Sequence, residues 1–354
     1  MRNTTRHNTL RRRQNMPLLR WKTALATALC AAAFSQPGLA QVPPASVLRI
    51  DTGNAVLYNE DTADVSTFAT DPNVTTPVPT KSFNRAVAIA DIQAVNGEPV
   101  MGLHTRAAVN IGLRTAPTPG QAIADAARNA SATISFEILK SDGTPIGTIM
   151  ASGFAGGTSP PGSPSSVTGN NFVVTGGTGA FLGARGEVGS ENPPPGVSVQ
   201  RVASITEDPA NRRRNGGGTQ RWVVHLIPLE SPEVAMAPAG PAITHSSDFS
   251  LVTASKPATA GEILSLFARG LGPVNPGVDP GQPFPSNPLA IVNSPVEVTV
   301  NGKAAEVLAA VGFPGAVDGY QVNFRMPSDT PKGTATIQVS AAWTISAPVS
   351  IAVQ

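Results

Sequence analysis

Apolar and polar residues alternate with a period of two along much of this chain, and stretches with a helical period are few. Ile134, Phe136 and Ile138 alternate with Ser135, Glu137 and Leu139, and Trp222, Val224 and Leu226 alternate with Val223, His225 and Ile227. Upstream, Leu103, Ala107, Val109, Ile111 and Leu113 share one face, and His104, Arg106, Asn110 and Arg114 the other. Successive side chains of a strand point to opposite faces, so each pattern predicts a strand with one face buried. Turn dipeptides fall between the runs. Asn96-Gly97 separates Phe83–Val95 from Pro99–Leu113, Asp142-Gly143 separates Thr133–Leu139 from Ile146–Ser152, and Asn301-Gly302 separates Val296–Val300 from Ala304–Ala310. Asn-Gly and Asp-Gly supply the positive φ of a type I′ turn, so all three are expected as β-hairpins. The one helical exception is the alanine cluster at Gln121–Arg128.

Glycine and proline, 34 of each in 354 residues, punctuate the chain densely, which favours an all-β protein with many turns. Leu229–His245 reads LESPEVAMAPAGPAITH; proline and alanine dominate it, and residues 229–245 are expected as a linker. It separates residues 51–228 from residues 246–354, each long enough for its own core. In the second part, Phe249–Ser255, Glu262–Ala268, Val296–Val300, Ala304–Ala310, Tyr320–Met326, Thr334–Ser340 and Ser346–Val353 give about seven short strands. That count suits an immunoglobulin-like β-sandwich without its disulfide. Gly156–Gly169, rich in Ser, Pro and Gly, is expected as a loop within the first part.

The N-terminus has the pattern of an export signal. Arg11, Arg12, Arg13, Arg20 and Lys22 precede the apolar run Thr23–Phe34, and Gly38-Leu39-Ala40 supplies small residues for cleavage, so residues 1–40 are expected to be removed. The apolar run is too short to stay as a membrane span, and none is expected after it. This segment holds seven of the 25 Lys and Arg and none of the 23 Asp and Glu, which leaves 18 basic against 23 acidic residues, a net charge of −5. A mildly acidic chain has no footprint for nucleic acid. Cys30, the one cysteine, lies inside the apolar run. Without a thiol beyond it there is no disulfide, no cysteine nucleophile and no thiolate metal site. A secreted protein (periplasmic, cell-surface or extracellular) is the expectation.

Residues 170–186 read NNFVVTGGTGAFLGARG. Gly176, Gly177 and Gly179 lack a Cβ and permit a sharp bend or bulge, so they are read as a structural turn. The run V-x-G-G-T-G-x-F-x-x-A-R-G resembles the signature of the dirigent and allene-oxide-cyclase-like β-barrel families. The resemblance covers roughly Phe83–Pro228 and implies an eight-stranded antiparallel barrel with a partly apolar lumen, closed so that no edge is left to aggregate. Downstream, Gly270-Leu271-Gly272-Pro273, Val298–Gly302, Gly319–Asn323 and Met326-Pro327 resemble the immunoglobulin-like C-terminal domain of exported Solibacter-type bacterial proteins. That resemblance implies a non-catalytic accessory module.

Alternation beyond the glycine turn sets Phe181, Gly183, Arg185 and Glu187 opposite Leu182, Ala184, Gly186 and Val188. Facing inward, Arg185 and Glu187 would be a charged pair able to hold a ligand or move a proton, and they are the catalytic candidates. Facing outward they would be a solvated pair worth little, and the scarcity of buried charge makes that the expectation. Dirigent-like chains often carry a charged residue directly after the GGTG run, where this chain has Ala180. Gly177-Thr178-Gly179 is followed by a strand-like run and not by the helix that a dinucleotide loop needs, so no cofactor is expected. His104, His225 and His245 lack ligand-spaced partners, and no metal is expected. Arg212-Arg213-Arg214, ahead of glycines 216–218, is read as an exposed hairpin tip. Tyr320 either faces solvent beside Gln321 as a binding residue or fills a core corner.

These features predict an exported two-domain β protein that binds a small apolar ligand in its barrel or a surface or extracellular partner, without catalysis. The alternative is a barrel that takes up a small apolar or phenolic molecule and guides its cyclisation or coupling.

Overall fold

The alternating runs become strands. The computed structural model describes residues 46–61, 83–112, 128–155 and 169–354. Its first sheet comprises β1 (Ser46–Asp61), β2 (Phe83–Val95), β3 (Glu98–Pro99), β4 (Met101–Gly112), β5 (Arg128–Leu139), β6 (Pro145–Ala155), β7 (Gly169–Gly179), β8 (Arg185–Ser190), β9 (Arg201–Ser204) and β10 (Gly218–Ile227). Eight of these run β1-β2-β4-β5-β6-β7-β8-β10, each antiparallel to its neighbours, and β10 pairs back onto β1 to close a barrel. The short β3 extends β2, and β9 runs parallel to the second half of β1. The first strand begins at Ser46, earlier than the expected boundary at Asp51.

Two of the three hairpins close as expected. Asn96 and Gly97 (φ +51° and +85°) and Asn301 and Gly302 (+52° and +78°) are both left-handed, the requirement of a type I′ turn. At Asp142-Gly143 only the glycine is left-handed (φ +86°), and Lys140 accepts from Gly143 N at 2.9 Å. This turn is a three-residue loop ending in a glycine bulge.

The register decides which face of β4 is inside. His104 lies opposite Ala90 and Phe136, and Arg106 opposite Ala88 and Ile134, all inward residues. The apolar set Leu103, Ala107 and Val109 therefore faces solvent, and the polar set faces the lumen. Towards the end where the chain leaves β4 and β6, the walls of β2, β4, β5 and β6 carry Ala86, Ala88, Ala108, Ala130, Ala132 and Ala155. Phe136, Phe172 and Trp222 cross the middle of the barrel, and Ile138, Ile149 and Leu226 fill the end that holds the tight turns.

The C-terminal part comprises β11 (Glu233–Val234), β12 (Met236–Ala237), β13 (Gly240–Pro241), β14 (Ile243–His245), β15 (Ile263–Arg269), β16 (Val274–Asn275), β17 (Ile291–Val292), β18 (Val296–Val300), β19 (Lys303–Gly312), β20 (Tyr320–Arg325), β21 (Gly333–Ala341), β22 (Thr344–Ile345) and β23 (Val349–Val353). Its main sheet runs β11-β15-β20-β19-β18-β21-β22, with β14 also on β15 and β23 on β21, around a second apolar core. The Pro/Ala-rich segment 229–245 is not a free linker. Glu233 and Val234 pair with Arg269 and Ala268, and Ile243–His245 pairs with Leu264–Leu266. Val234 and Ile243 are buried in the second core, and proline is tolerated because these are short flanking strands. Conversely, the strand expected at Phe249–Ser255 shrinks to one bridge, Thr244 to Leu251. Phe249 is left-handed (φ +55°) and its N–H returns to the His245 carbonyl at 2.8 Å, so the chain turns where it was expected to extend.

The signal at 1–40, most of the alanine cluster at 121–128 and most of the loop at 156–169 lie outside the described residues. Among the described residues no helix is long and apolar enough to cross a membrane. The barrel and the C-terminal sheet touch at the tight-turn end. There Ala342, between β21 and β22, joins the barrel core, and Asn293 Nδ2 donates to the Pro145 carbonyl at 2.8 Å.

Candidate functional site

Polar groups gather inside the barrel. The His104 ring stacks on Phe136 (centroids 4.6 Å apart, 20° between planes) and lies 4.9 Å from Trp222, which also meets Phe136 and Phe172 edge-on. Nδ1–H of His104 donates to the Ser135 carbonyl at 3.0 Å, which leaves Nε2 of the neutral ring as an acceptor. Burial pushes the imidazole down to about 4, against the pull of the Ser135 carbonyl and assisted by the charge of Arg106. His104 is therefore neutral at physiological pH.

Arg106, two residues on along the same face, is half-buried, and burial pushes its guanidinium below its ordinary value. Its Nη2 meets Gln200 Oε1 at 3.4 Å, and its Nε is buried with no hydrogen-bond partner among the described residues. Two further lumen atoms share that condition. Trp222 is 1% exposed, and its Nε1 has no acceptor; Asn59, opposite inward Ala86, has no donor for its Oδ1. Buried polar groups in native proteins are nearly always paired, and in this lumen three have no partner among the described residues. Alanines surround them. An eight-stranded barrel is just wide enough for side chains to fill, and here the inward side chains towards the end where the chain leaves β4 and β6 are mostly methyl groups.

The catalytic candidates lie elsewhere. Arg185 is opposite Ile227 and Glu187 opposite His225 and Val173, on the face turned away from Trp222, Val224 and Leu226. Both stand on the outer wall, as the scarcity of buried charge leads one to expect. The strand that carries them begins only at Arg185. Residues 180–184 form a turn, with Phe181 N to Thr178 O and Ala184 N to Phe181 O both at 3.1 Å, so Phe181 is buried and Leu182 exposed, against strand alternation. Within the glycine run, Gly179 is left-handed (φ +60°), and a Cβ at Gly177 would overlap the Phe181 and Thr148 carbonyl oxygens.

The arginine run is also not a free tip. Arg212 is buried and donates to Asp91 Oδ1 at 2.6 Å and to the Asn54 carbonyl at 2.7 Å, while Arg213 grips both Asp91 oxygens at 2.9 and 3.0 Å. Arg214 alone is exposed without such a tie. Asn54, left-handed at a bulge of β1, adds a third donor to Asp91 at 2.8 Å. Burial alone would raise the Asp91 carboxyl, but the hydrogen bonds from Arg213, Arg212 and Asn54 outweigh it and hold the group well below the carboxylate range. This is a fastening of the 191–217 excursion onto the barrel wall. Of the other histidines, His225 faces outward beside Glu187, and buried His245 bonds Glu262 Oε1 through Nδ1 at 2.5 Å. Tyr320 is a core residue whose hydroxyl donates to the Gly272 carbonyl at 2.8 Å.

Sequence reading set His104 and Arg106 together on one face but singled out neither Arg106, Trp222 nor Asn59 as a site. The available signal was the coincidence of two polar residues at strand spacing with alanine-rich neighbours in β2 and β5. No family model, curated protein or solved structure matches the chain.

Proposed function

We propose that the chain is an exported protein that works by binding, with a dirigent-like or allene-oxide-cyclase-like barrel as the receptor and an immunoglobulin-like accessory domain behind it. The observation that carries this reading is the set of buried polar atoms in the lumen without a partner among the described residues, Asn59 Oδ1, Arg106 Nε and Trp222 Nε1. A ligand with matching groups would satisfy them. Arg185 and Glu187, the residues that would have supported acid–base chemistry, stand on the outer wall. Native mass spectrometry of the protein recovered from its own producer tests the reading. A co-purifying small molecule released on unfolding is expected, and an empty barrel at full occupancy of the fold would count against it.

One observation favours the alternative, a barrel that guides cyclisation or coupling of a bound molecule. The neutral His104 presents an acceptor nitrogen inside the lumen, where it could take a proton from an enclosed substrate. Conversion of a bound phenolic probe that is lost in His104→Phe, with binding retained, would support that reading over simple binding.

A further inference from the structure

We propose that the barrel lumen holds a small organic anion whose acidic group is gripped by the Arg106 guanidinium. This deepens the binding reading above and rests on it.

The comparison with the other arginines carries the inference. Arg49, Arg85, Arg201, Arg212, Arg213, Arg221 and Arg325 each lie within ion-pair distance of a carboxylate, and Arg185, Arg214 and Arg269, which among the described residues do not, are exposed to solvent. Arg106 faces the lumen and has none among the described residues. A buried cation without a counter-charge is expensive, and natural cores seldom keep one without a use. The carboxylates on the two strands beside β4, Asp91 on β2 and Glu137 on β5, both lie opposite outward-facing Leu103, and Asp91 is already engaged by two other arginines. What the guanidinium lacks is an anion, and its planar fork matches a carboxylate through two parallel hydrogen bonds.

The neighbours narrow the chemistry. Trp222 Nε1–H is a second donor in the same lumen without a partner among the described residues, and neutral His104 adds no competing charge. An inorganic ion would match the donors alone, whereas the buried side chains beside them, Ile134, Phe136 and Phe172, are apolar. A molecule with an apolar body and one acidic group satisfies both, which is the usual division of labour in a small-molecule site.

The test titrates the full chain with benzoate and with benzamide, which share a shape and differ in charge, while the indole N–H signals of Trp222 and Trp343, two of its three tryptophans, are followed by NMR. Benzoate is expected to bind at least tenfold more tightly than benzamide in low salt and to move the Trp222 signal, leaving that of Trp343 in place. Arg106→Met should erase the preference for benzoate while the melting temperature holds or rises, because an uncompensated charge has been removed from the interior. A fall of several degrees in that variant, with the benzoate preference intact, would show the guanidinium to be a structural tie and overturn the proposal. Should Arg106→Met not fold, Arg106→Lys keeps the charge but loses the fork, and a weakened preference for benzoate is expected there; an unchanged one overturns the bidentate grip. Equal binding of both probes in the native chain defeats the anion and leaves the binding reading standing. Failure of benzoate to bind overturns the proposal, and the binding reading is then decided by the co-purification test.

Discussion

The indole N–H of Trp343 donates to Glu98 Oε2 at 2.8 Å, tying the hairpin between β21 and β22 to the turn between β2 and β4. The geometry behind this bond is strained. Ala342 and Trp343 form a two-residue hairpin turn with both residues left-handed (φ +45° and +63°), a conformation normally left to Asn and Gly. Each costs on the order of 1 kcal/mol, and such positions persist where surrounding contacts over-determine them. Here the contact is the barrel itself, since Ala342 is buried among its core residues. Trp343→Phe keeps the ring and removes the donor, and should destabilise the joint by about 1–2 kcal/mol. Trp343→Ala should cost more and split a single calorimetric transition into two, one for the barrel and one for the C-terminal sheet. One unaltered transition in both variants would show that the joint contributes nothing.

The same joint is sensitive to pH. Glu297 on β18 hydrogen-bonds the Glu98 carboxyl, and that bond, with burial and the charge of Glu98, pushes its pKa up to about 7. The pair lines a cleft of about 390 Å³ with Asn96, Thr299, Gln338 and Trp343, and among the described residues no lysine, arginine or histidine lines it. A carboxyl whose folded pKa is raised keeps a proton that the unfolded chain gives up near pH 4.3, so the contact is strongest in acid. Stability should therefore fall as pH rises from about 4.5 to about 7 and level off above it. The group is largely solvated, so the loss is on the order of 1 kcal/mol, well below the full shift. Glu297→Gln should flatten this part of the melting-temperature profile and raise its neutral end. A parallel profile for the variant would remove Glu297 from the account.

Much of this fold was legible in the sequence and little of the site was. Period-two alternation located the barrel strands, and the Asn-Gly pairs at 96–97 and 301–302 set two hairpins, because these signals are local. The inward placement of His104 and Arg106 was not local. It follows from closure of the sheet, which makes the inner face common to eight strands and lets aromatic and aliphatic residues from β5, β7 and β10 bury polar ones from β4. Segment 229–245 was misread for a related reason. Composition marks prolines as breaks, but Val234 and Ile243 are placed by a partner, β15, that comes later in the chain. The role of Trp343 depends on Glu98, 245 positions away, and nothing near either residue announces it.

Asp91 provides a sharper test of the arginine run. Removing its carboxylate with Asp91→Ala leaves Arg212 buried without a counter-charge, a change that costs about 3–5 kcal/mol in comparable cases. Arg213→Ala removes an exposed partner and should cost no more than about 1 kcal/mol. The depressed carboxyl also fixes the sign with acid. Its contribution is present above the unfolded value of about 3.9 and is lost only as pH falls further. Urea unfolding of both variants, with limited proteolysis of residues 191–217, measures the difference. Equal effects of the two substitutions would contradict a clamp centred on Asp91 and Arg212.

The last prediction concerns where the chain can be cut. A fragment starting at Ser246 loses β11 and β14, and with them both strands that cover the outer edge of β15. It also loses His245, whose Nδ1 bonds Glu262 while Nε2 faces the Lys256 carbonyl at 3.3 Å. Glu262 would keep only Thr259, whose N–H and Oγ1 donate to Oε2 at 2.9 and 3.1 Å. Burial raises the Glu262 carboxyl, and the hydrogen bonds from His245 and Thr259 reverse that, so without His245 much of the compensation is gone. An edge strand stripped of its partners also exposes unpaired backbone groups that promote association. A fragment starting at Leu229 keeps all of these contacts. It should unfold cooperatively as a soluble species, whereas the fragment from Ser246 should melt at a markedly lower temperature or aggregate. Comparable thermal unfolding of the two fragments would mean that β11, β14 and His245 contribute nothing to the C-terminal fold.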